Sequence, residues 1–255
     1  DDSLFDEPEP EYDEGDEPVV ELRVSLPRAA SPKPAVFEAL LVGFSGLRFP
    51  ASFEIIGSAE ETAVQFACRE PDRRALVESL RAYLPDVTIA ESRDALERAW
   101  QETGERCCIL HAGLAEEFML PLRTRGELPV DPLVGVVAAL GDLAPDELGI
   151  LQVLFSPVRD PWAPSILRAV SDGDGGAFFA DAPAIVPGAR QKVAEPLFAA
   201  ATRIAGASSA GDRAEEIARA LLGALARLSE PGGNALAPLD DESYPAIERE
   251  RDLLR

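Results

Sequence analysis

The chain has 255 residues, with 46 acidic and 24 basic side chains and a net charge of −22 at pH 7. This balance repels nucleic acid and anionic lipid, so direct DNA binding by the segment is disfavoured. Hydrophobic residues make up 46%, as in ordinary globular proteins, and no apolar run approaches the roughly 20 residues of a membrane-spanning helix. We therefore expect a soluble segment.

The acidic residues are concentrated at the start of the chain. Residues 1–18 contain ten acids and no Lys or Arg, interrupted by prolines and Gly15. Such a tail buries too little apolar surface to order itself, which predicts a disordered linker, with a decoy for a basic partner as the alternative. The first residue is not Met and the only Met is Met119, which indicates a fragment or a processed product.

Catalytic and metal-binding signatures are missing. Neither lysine, Lys33 or Lys192, follows a GxxxxGK[ST] loop, so the segment has no Walker nucleotide site. His111 is the only histidine; HExxH and Cys/His zinc sites are thereby excluded, and its apolar setting favours a structural role. Three cysteines without CxxC spacing fit a reducing cytosol. We expect no enzyme active site, no metal and no cofactor in this segment.

The first part of the chain has the pattern of a small α+β unit. Strands are predicted at 19–26, 51–56, 62–68 and 87–90, with helices at 35–42 and from Asp72, as N-cap, to Pro85. The order βαββαβ is that of the ferredoxin-like fold, with both helices on one face of an antiparallel sheet. Residues 19–93 are therefore predicted to form one ferredoxin-like module.

The pattern recurs after a bridging segment, 94–117, with a short helix at 94–100 and a strand at 106–110. The predicted elements are an extended stretch at 118–123, a helix opening at Pro132 and a strand at 150–155. A strand at 197–206, for which a helix is the alternative, a helix capped by Asp212 and a closing strand at 234–239 complete them. Residues 118–239 thus form a second module, with an insertion at 161–187 that carries a helix around 165–170. Residues 240–255 are predicted to be an exit linker.

Several short stretches carry a resemblance to a known family. They are Phe53-Glu54-Ile55-Ile56, Asp131-Pro132-Leu133, residues 147–158 followed by Trp162, Leu197-Phe198 with Arg203-Ile204-Ala205, and Gly233-Asn234-Ala235-Leu236. Over about residues 19–255 the chain resembles the region that precedes the motor in conjugative-transfer ATPases of the HerA/FtsK-like superfamily, the type IV secretion coupling and assembly ATPases. These are structural motifs and not catalytic signatures.

The resemblance implies a non-catalytic N-terminal module of a DNA-translocating ATPase, in conjugation, type IV secretion, DNA processing or phage defence. ATP and Mg would belong to a motor domain after Arg255, and DNA would be contacted through that motor. The partners would be further copies of the chain, as a hexamer, and proteins of the DNA-transfer or defence complex. The implied location is cytoplasmic, with membrane association through a segment outside this sequence left open.

Three residues are candidates for an interface. Gln152 lies centrally in an apolar strand, where its amide serves either an interface or a neighbouring backbone group. Trp162 either anchors a contact or covers the insertion, and Arg203, by analogy with the family, lines a subunit contact or faces solvent. Two other functions stay open: a free-standing interaction adaptor, and an enzyme with a carboxylate site in the loop 171–188 that uses Asp172 and Asp174.

Overall fold

The computed structural model describes residues 17–103, 106–123, 131, 133–158, 162–171, 185–194, 196–230 and 233–239. The strands in these ranges are β1 Val19–Ser25, β2 Ala51–Ser58, β3 Thr62–Arg69, β4 Thr88–Ser92, β5 Arg106–Leu114, β6 Leu148–Pro157, β7 Phe198–Ser208 and β8 Leu236–Pro238. The helices are α1 Pro34–Gly43, α2 Glu70–Tyr83, α3 Ala95–Gln101, α4 Leu133–Leu140, α5 Trp162–Val170, α6 Ile185–Lys192 and α7 Arg213–Leu225. The predicted α+β class is confirmed.

All eight strands form one antiparallel sheet in the order β4-β1-β3-β2-β6-β7-β5-β8. Strands β1 to β4 make up the first half and β5 to β8 the second half. From its outer edge inward the second half has the order β8-β5-β7-β6, which repeats β4-β1-β3-β2. The halves meet where β2 pairs with β6, from Ala51 opposite Phe155 to Ser58 opposite Leu148. We call this junction the seam.

Four helices cover one face of the sheet. Helices α1 and α2 pack on the first half around Leu22, Phe44, Leu76 and Leu80, and α4 and α7 pack on the second half. The second core contains Leu140, Leu151, Ile204 and Leu221. The half-buried ring of Phe53 contacts both cores, because β2 lies at the seam. We call this side of the sheet the helix face.

The opposite face of the sheet is contacted by α3. Its Leu96 and Trp100 pack on Leu148, Ile150 and Ala205 of the second half.

In the described part of the chain, no helix has the length and apolar content needed to cross a bilayer.

Helix α3 begins without a side-chain cap of its own. Its first N–H groups are satisfied instead by Glu21 of β1, whose carboxylate accepts hydrogen bonds from the backbone N of Ala95 (2.5 Å) and Leu96 (3.1 Å). Ser92 Oγ also donates to this carboxylate (3.0 Å). The start of α3 is therefore fixed by a residue more than 70 positions away, and not by its local sequence.

We expect Glu21→Ala to lower the free energy of unfolding by about 2 kcal/mol, because a helix start and a hydroxyl lose their acceptor. Urea unfolding monitored by circular dichroism measures this loss, and in a Trp162→Phe background the fluorescence of Trp100 should shift to longer wavelength. Glu102→Ala, at the exposed end of the same helix, is the control and should change stability by less than about 0.5 kcal/mol. Equal effects of the two substitutions would show that Glu21 does not cap α3.

All six elements predicted for residues 19–93 are present, but the cap of α2 differs from the prediction. Helix α2 begins at Glu70, so Asp72 is not its N-cap. The buried carboxylate of Asp72 instead accepts hydrogen bonds from the backbone N of Arg48 and Phe49, both 2.8 Å, and fixes the loop before β2. In the second half, Asp212 is the N-cap residue of α7 as predicted, but its side chain makes no capping hydrogen bond.

The prediction of an extended strand at 118–123 is wrong. This segment is a loop fixed by Asn234, whose Nδ2 donates to the backbone O of Leu120, while Pro121 O accepts from the backbone N of Asn234. On the side away from β6, β7 pairs with β5, whose residues 106–110 are predicted above to bridge the two halves. Apolar composition led to the strand predictions at both 106–110 and 118–123. Only the first of these segments pairs with another strand, since β5 pairs with β7.

The remaining elements of the second half follow the prediction more closely. Of the predicted strand 197–206, residues 198–206 belong to β7, so the helical alternative is excluded, and α5 confirms the helix in the insertion. Helix α6 was not predicted. It extends past Pro187, its third residue, because the first N–H groups of a helix have no acceptor inside the helix, so a proline at this position removes no helical hydrogen bond. The tail at 1–16, Pro132, the loop at 172–184 with Asp172 and Asp174, and the linker at 240–255 lie outside the described residues.

Candidate functional site

A row of polar residues crosses the middle of the sheet. Gln65, Glu54, Gln152, Arg203 and His111 are register partners on β3, β2, β6, β7 and β5 in turn. Register partners on neighbouring strands project to the same face. Phe53 and Ile55, which flank Glu54, pack into the cores of the helix face, so the row lies on the face that α3 contacts. We call these five residues the polar row.

Glu54 is the centre of this row. Its side chain is 1% exposed, and its carboxylate accepts three side-chain hydrogen bonds. Ser52 Oγ (2.6 Å) and Gln152 Nε2 (2.8 Å) donate to Oε1, and Gln65 Nε2 (2.7 Å) donates to Oε2. All three donors are themselves buried. Because Gln152 belongs to the second half, its bond to Glu54 joins the halves in addition to the backbone ladder.

Arg203 and His111 continue the row into the second half. Both are half-buried and lie opposite each other on β7 and β5. Burial lowers the pKa of His111 below its ordinary value, and the charge of Arg203 lowers it further. The imidazole therefore favours its neutral form in the folded protein.

This pKa shift predicts a pH dependence of stability. A histidine whose folded pKa is depressed contributes stability above the unfolded pKa of about 6.5, and this contribution is lost as the pH falls towards the folded pKa. The free energy of unfolding should thus decline between about pH 7 and pH 5.5, where the lowered carboxyl pKa values of Asp146 and Glu147 have no effect.

The matched variant is His111→Gln, which should show a flatter profile over this interval in urea unfolding at a series of pH values. His111 is the only histidine of the chain, so no second imidazole obscures the comparison. A wild-type profile parallel to that of the variant would contradict the assignment.

The structure brings two of the three predicted interface residues together. Gln152 and Arg203 are cross-strand neighbours in the polar row. Trp162 is the first residue of α5, outside the sheet, with 46% of its surface exposed. Glu54 and Gln65 were not predicted as site residues. Each is a polar residue in the middle of an apolar strand, the same signal that selected Gln152.

Two observations on the described residues concern metal binding and thiol chemistry. Among them, no group of three or more His, Cys, Asp or Glu side chains is arranged to bind a metal ion. Burial raises the pKa of the Cys68 thiol to about 12, and the nearby carboxylates of Asp72 and Glu70 add to the shift, so this thiol stays protonated and unreactive. The oxygens of Glu54 are engaged by their three donors. The hydrogen bonds of Glu54 to donors on β3 and β6 suit the alignment of these strands with β2.

Comparisons with known proteins give no family. No family model and no curated protein matches the chain. Among solved structures, it is similar to a xylooligosaccharide oxidase from Myceliophthora thermophila C1 in complex with xylobiose, with 14% sequence identity and a TM-score of 0.39. The match covers 86% of this chain and 46% of the oxidase chain, so this chain spans less than half of that protein. A likeness at this level carries no argument about activity.

Proposed function

We propose that the chain is the non-catalytic N-terminal module of a DNA-translocating ATPase of the HerA/FtsK-like superfamily, which organises a hexamer and docks protein partners. One observation carries the proposal. Three of the stretches that resemble this family, residues 53–56, 147–158 and 203–205, lie in or directly beside the adjacent strands β2, β6 and β7. Residues far apart in the chain thus form one continuous feature, the seam and its neighbouring strand.

The finer architecture supports the same proposal. In this proposal the two halves are ferredoxin-like modules joined edge to edge, and the repeated strand order and the paired helices on one face support it. The second module then begins with β5. Pairing β2 with β6 covers what would otherwise be two free strand edges, which makes the double module a single rigid platform.

The polar row gives this platform a fixed geometry. A slip of one residue between β2 and β6 would turn Gln152 to the other face and leave the carboxylate of Glu54 buried with one acceptor site unfilled. The penalty for an unsatisfied buried carboxylate opposes every register but one. A platform with one fixed register can transmit the position of a bound partner to a motor.

In this proposal ATP and Mg bind the motor domain, and DNA is contacted there and not by the acidic segment. The module works in the cytoplasm. Its partners are further copies of the parent chain and proteins of a conjugation, secretion or defence complex.

The test is to express the complete product of the gene and to measure its mass by native mass spectrometry with Mg-ATP. We expect a hexamer of a longer chain, with a Walker A loop within about a hundred residues after Arg255. Deleting residues 17–239 from that product should weaken the hexamer and leave the Walker motif in place. A gene product that ends at Arg255 and hydrolyses no nucleotide would contradict the proposal and support the free-standing adaptor.

A further inference from the structure

Apolar side chains that are exposed or half-buried surround the seam on the helix face. Helix α4 packs on β2 and β6, and the turn Phe44–Gly46 after α1 also packs on β6, so α1 and α4 approach the seam from opposite sides. The floor between them includes Phe53 and Val153, register partners that are both half-buried. An apolar floor that is partly open to solvent distinguishes the seam from the closed cores on either side.

The wall on the α4 side is defined by helix geometry. Gly135 faces α7, since a Cβ there would lie 3.0 Å from Ala224 Cβ, and Val136 and Leu140 are buried against the sheet. At 100° per residue, Val137 then lies on the side away from α7, towards the seam. It is 48% exposed, while Val134 points outward to solvent.

The wall on the α1 side follows from the same geometry. Gly43 faces α2, since a Cβ there would lie 3.2 Å from the Tyr83 ring, and Leu40 is buried. Leu41 therefore lies on the side away from α2, towards the seam, and is 46% exposed. Val42 points outward to solvent. We call the surface formed by Leu41, Phe53, Val137 and Val153 the seam groove.

The charges around the seam groove favour one class of occupant. Helix α4 contains no charged residue, and α1 contains only Glu38, which is exposed. Exposed Asp142 follows the end of α4. A second copy of a chain with net charge −22 would bring like charges together, whereas a cationic partner is attracted.

We propose that the seam groove binds an amphipathic helix of a partner protein, with an apolar stripe against the groove and Lys or Arg on its flanks. Helix-in-groove recognition uses apolar anchors at i, i+3, i+4 and i+7, and the apolar groove between α1 and α4 suits such a stripe. This inference deepens the proposed function by naming the chemistry of the docked partner.

The experiment measures binding of a synthetic 18-residue helix of Leu and Lys, with Leu on one face, by fluorescence anisotropy. A helix with Leu replaced by Ser at the same charge, and a Leu/Glu helix, are the comparison probes. The seam variant is Leu41→Ser/Val137→Ser, and the control is Val42→Ser/Val134→Ser, which removes similarly exposed valines from the same helices on their solvent side.

We expect the seam variant to weaken binding of the Leu/Lys helix by about tenfold and the control by less than about twofold. Thermal unfolding should be nearly unchanged in both variants, because the replaced side chains are half exposed. Equal loss of binding in the two variants would overturn the proposal, because the helix would then not contact the seam groove specifically. Equal binding of the Ser/Lys helix would also overturn it, because the attraction would then be purely electrostatic.

Two further results would also overturn it. If light scattering shows self-association that the seam variant abolishes, the occupant is a second copy of the chain. If the helix binds only after residues 240–255 are removed, the occupant is that segment. None of these outcomes depends on the mass or ATP hydrolysis of the complete gene product, so failure here is distinguishable from failure of the proposed function.

Discussion

Glu54→Leu is expected to lower the free energy of unfolding by about 4 kcal/mol, because Ser52, Gln65 and Gln152 would each keep a buried donor without its acceptor. Leu can occupy the space but cannot accept a hydrogen bond. Urea unfolding monitored by circular dichroism measures the loss. Glu60→Leu, in the exposed β2–β3 turn, is the control and should change stability by less than about 0.5 kcal/mol.

A triple variant separates hydrogen bonding from packing at the same site. Replacing Glu54, Gln65 and Gln152 together by Leu removes the carboxylate and both amide donors that it satisfies, and most of the stability should return. If the triple variant is as unstable as Glu54→Leu, the loss comes from packing and not from unsatisfied donors. We also expect the triple variant to lose the preference for a single register, seen as broadened NMR signals from β2 and β6.

Gly206→Ala is expected to cost about 3 kcal/mol, because α7 lies directly against the backbone of β7 at this point. The added Cβ would lie 3.0 Å from Ile217 Cβ and 3.1 Å from the carbonyl carbon of Ala214, and closer still to the Ala214 oxygen. These are mostly backbone atoms of a helix, which cannot move without shifting α7 away from the sheet.

The matched control is Gly223→Ala within α7, where no atom lies within 4 Å of the added Cβ. It should stabilise the protein by about 0.5 to 1 kcal/mol, because alanine favours the helix over glycine. Thermal and urea unfolding of both variants check the pair. A neutral Gly206→Ala would mean that the close packing of α7 on β7 is not required.

Gly206 belongs to a glycine row that no local pattern reveals. Gly57, Gly149 and Gly206 are register partners on β2, β6 and β7. A Cβ on Gly57 or Gly149 would lie within 2.6 Å of Leu140 of α4. The row therefore lets α4 and α7 approach three neighbouring strands, and only strand pairing shows that the three glycines act together.

Local sequence patterns were sufficient for most elements of the first half. Alternating apolar residues predicted β1, β2 and β3, and the 3.6-residue repeat between Pro34 and Gly43 predicted α1, because these signals depend on near neighbours. They failed where distant contacts decide. The apolar residues 118–123 have the composition of a strand, yet Asn234 fixes them as a loop, and the start of α3 depends on Glu21 of β1.

The candidate site shows the same division. The sequence alone determined the α+β class, the acidic charge and the unusual position of Gln152 in an apolar strand. Only the tertiary structure decided that Gln152 meets Glu54, 98 residues earlier, and that Arg203 lies on its other side. The reason is physical: side-chain alternation sets which residues share a face of one strand, but the pairing of strands from distant parts of the chain sets which side chains are neighbours and which are buried.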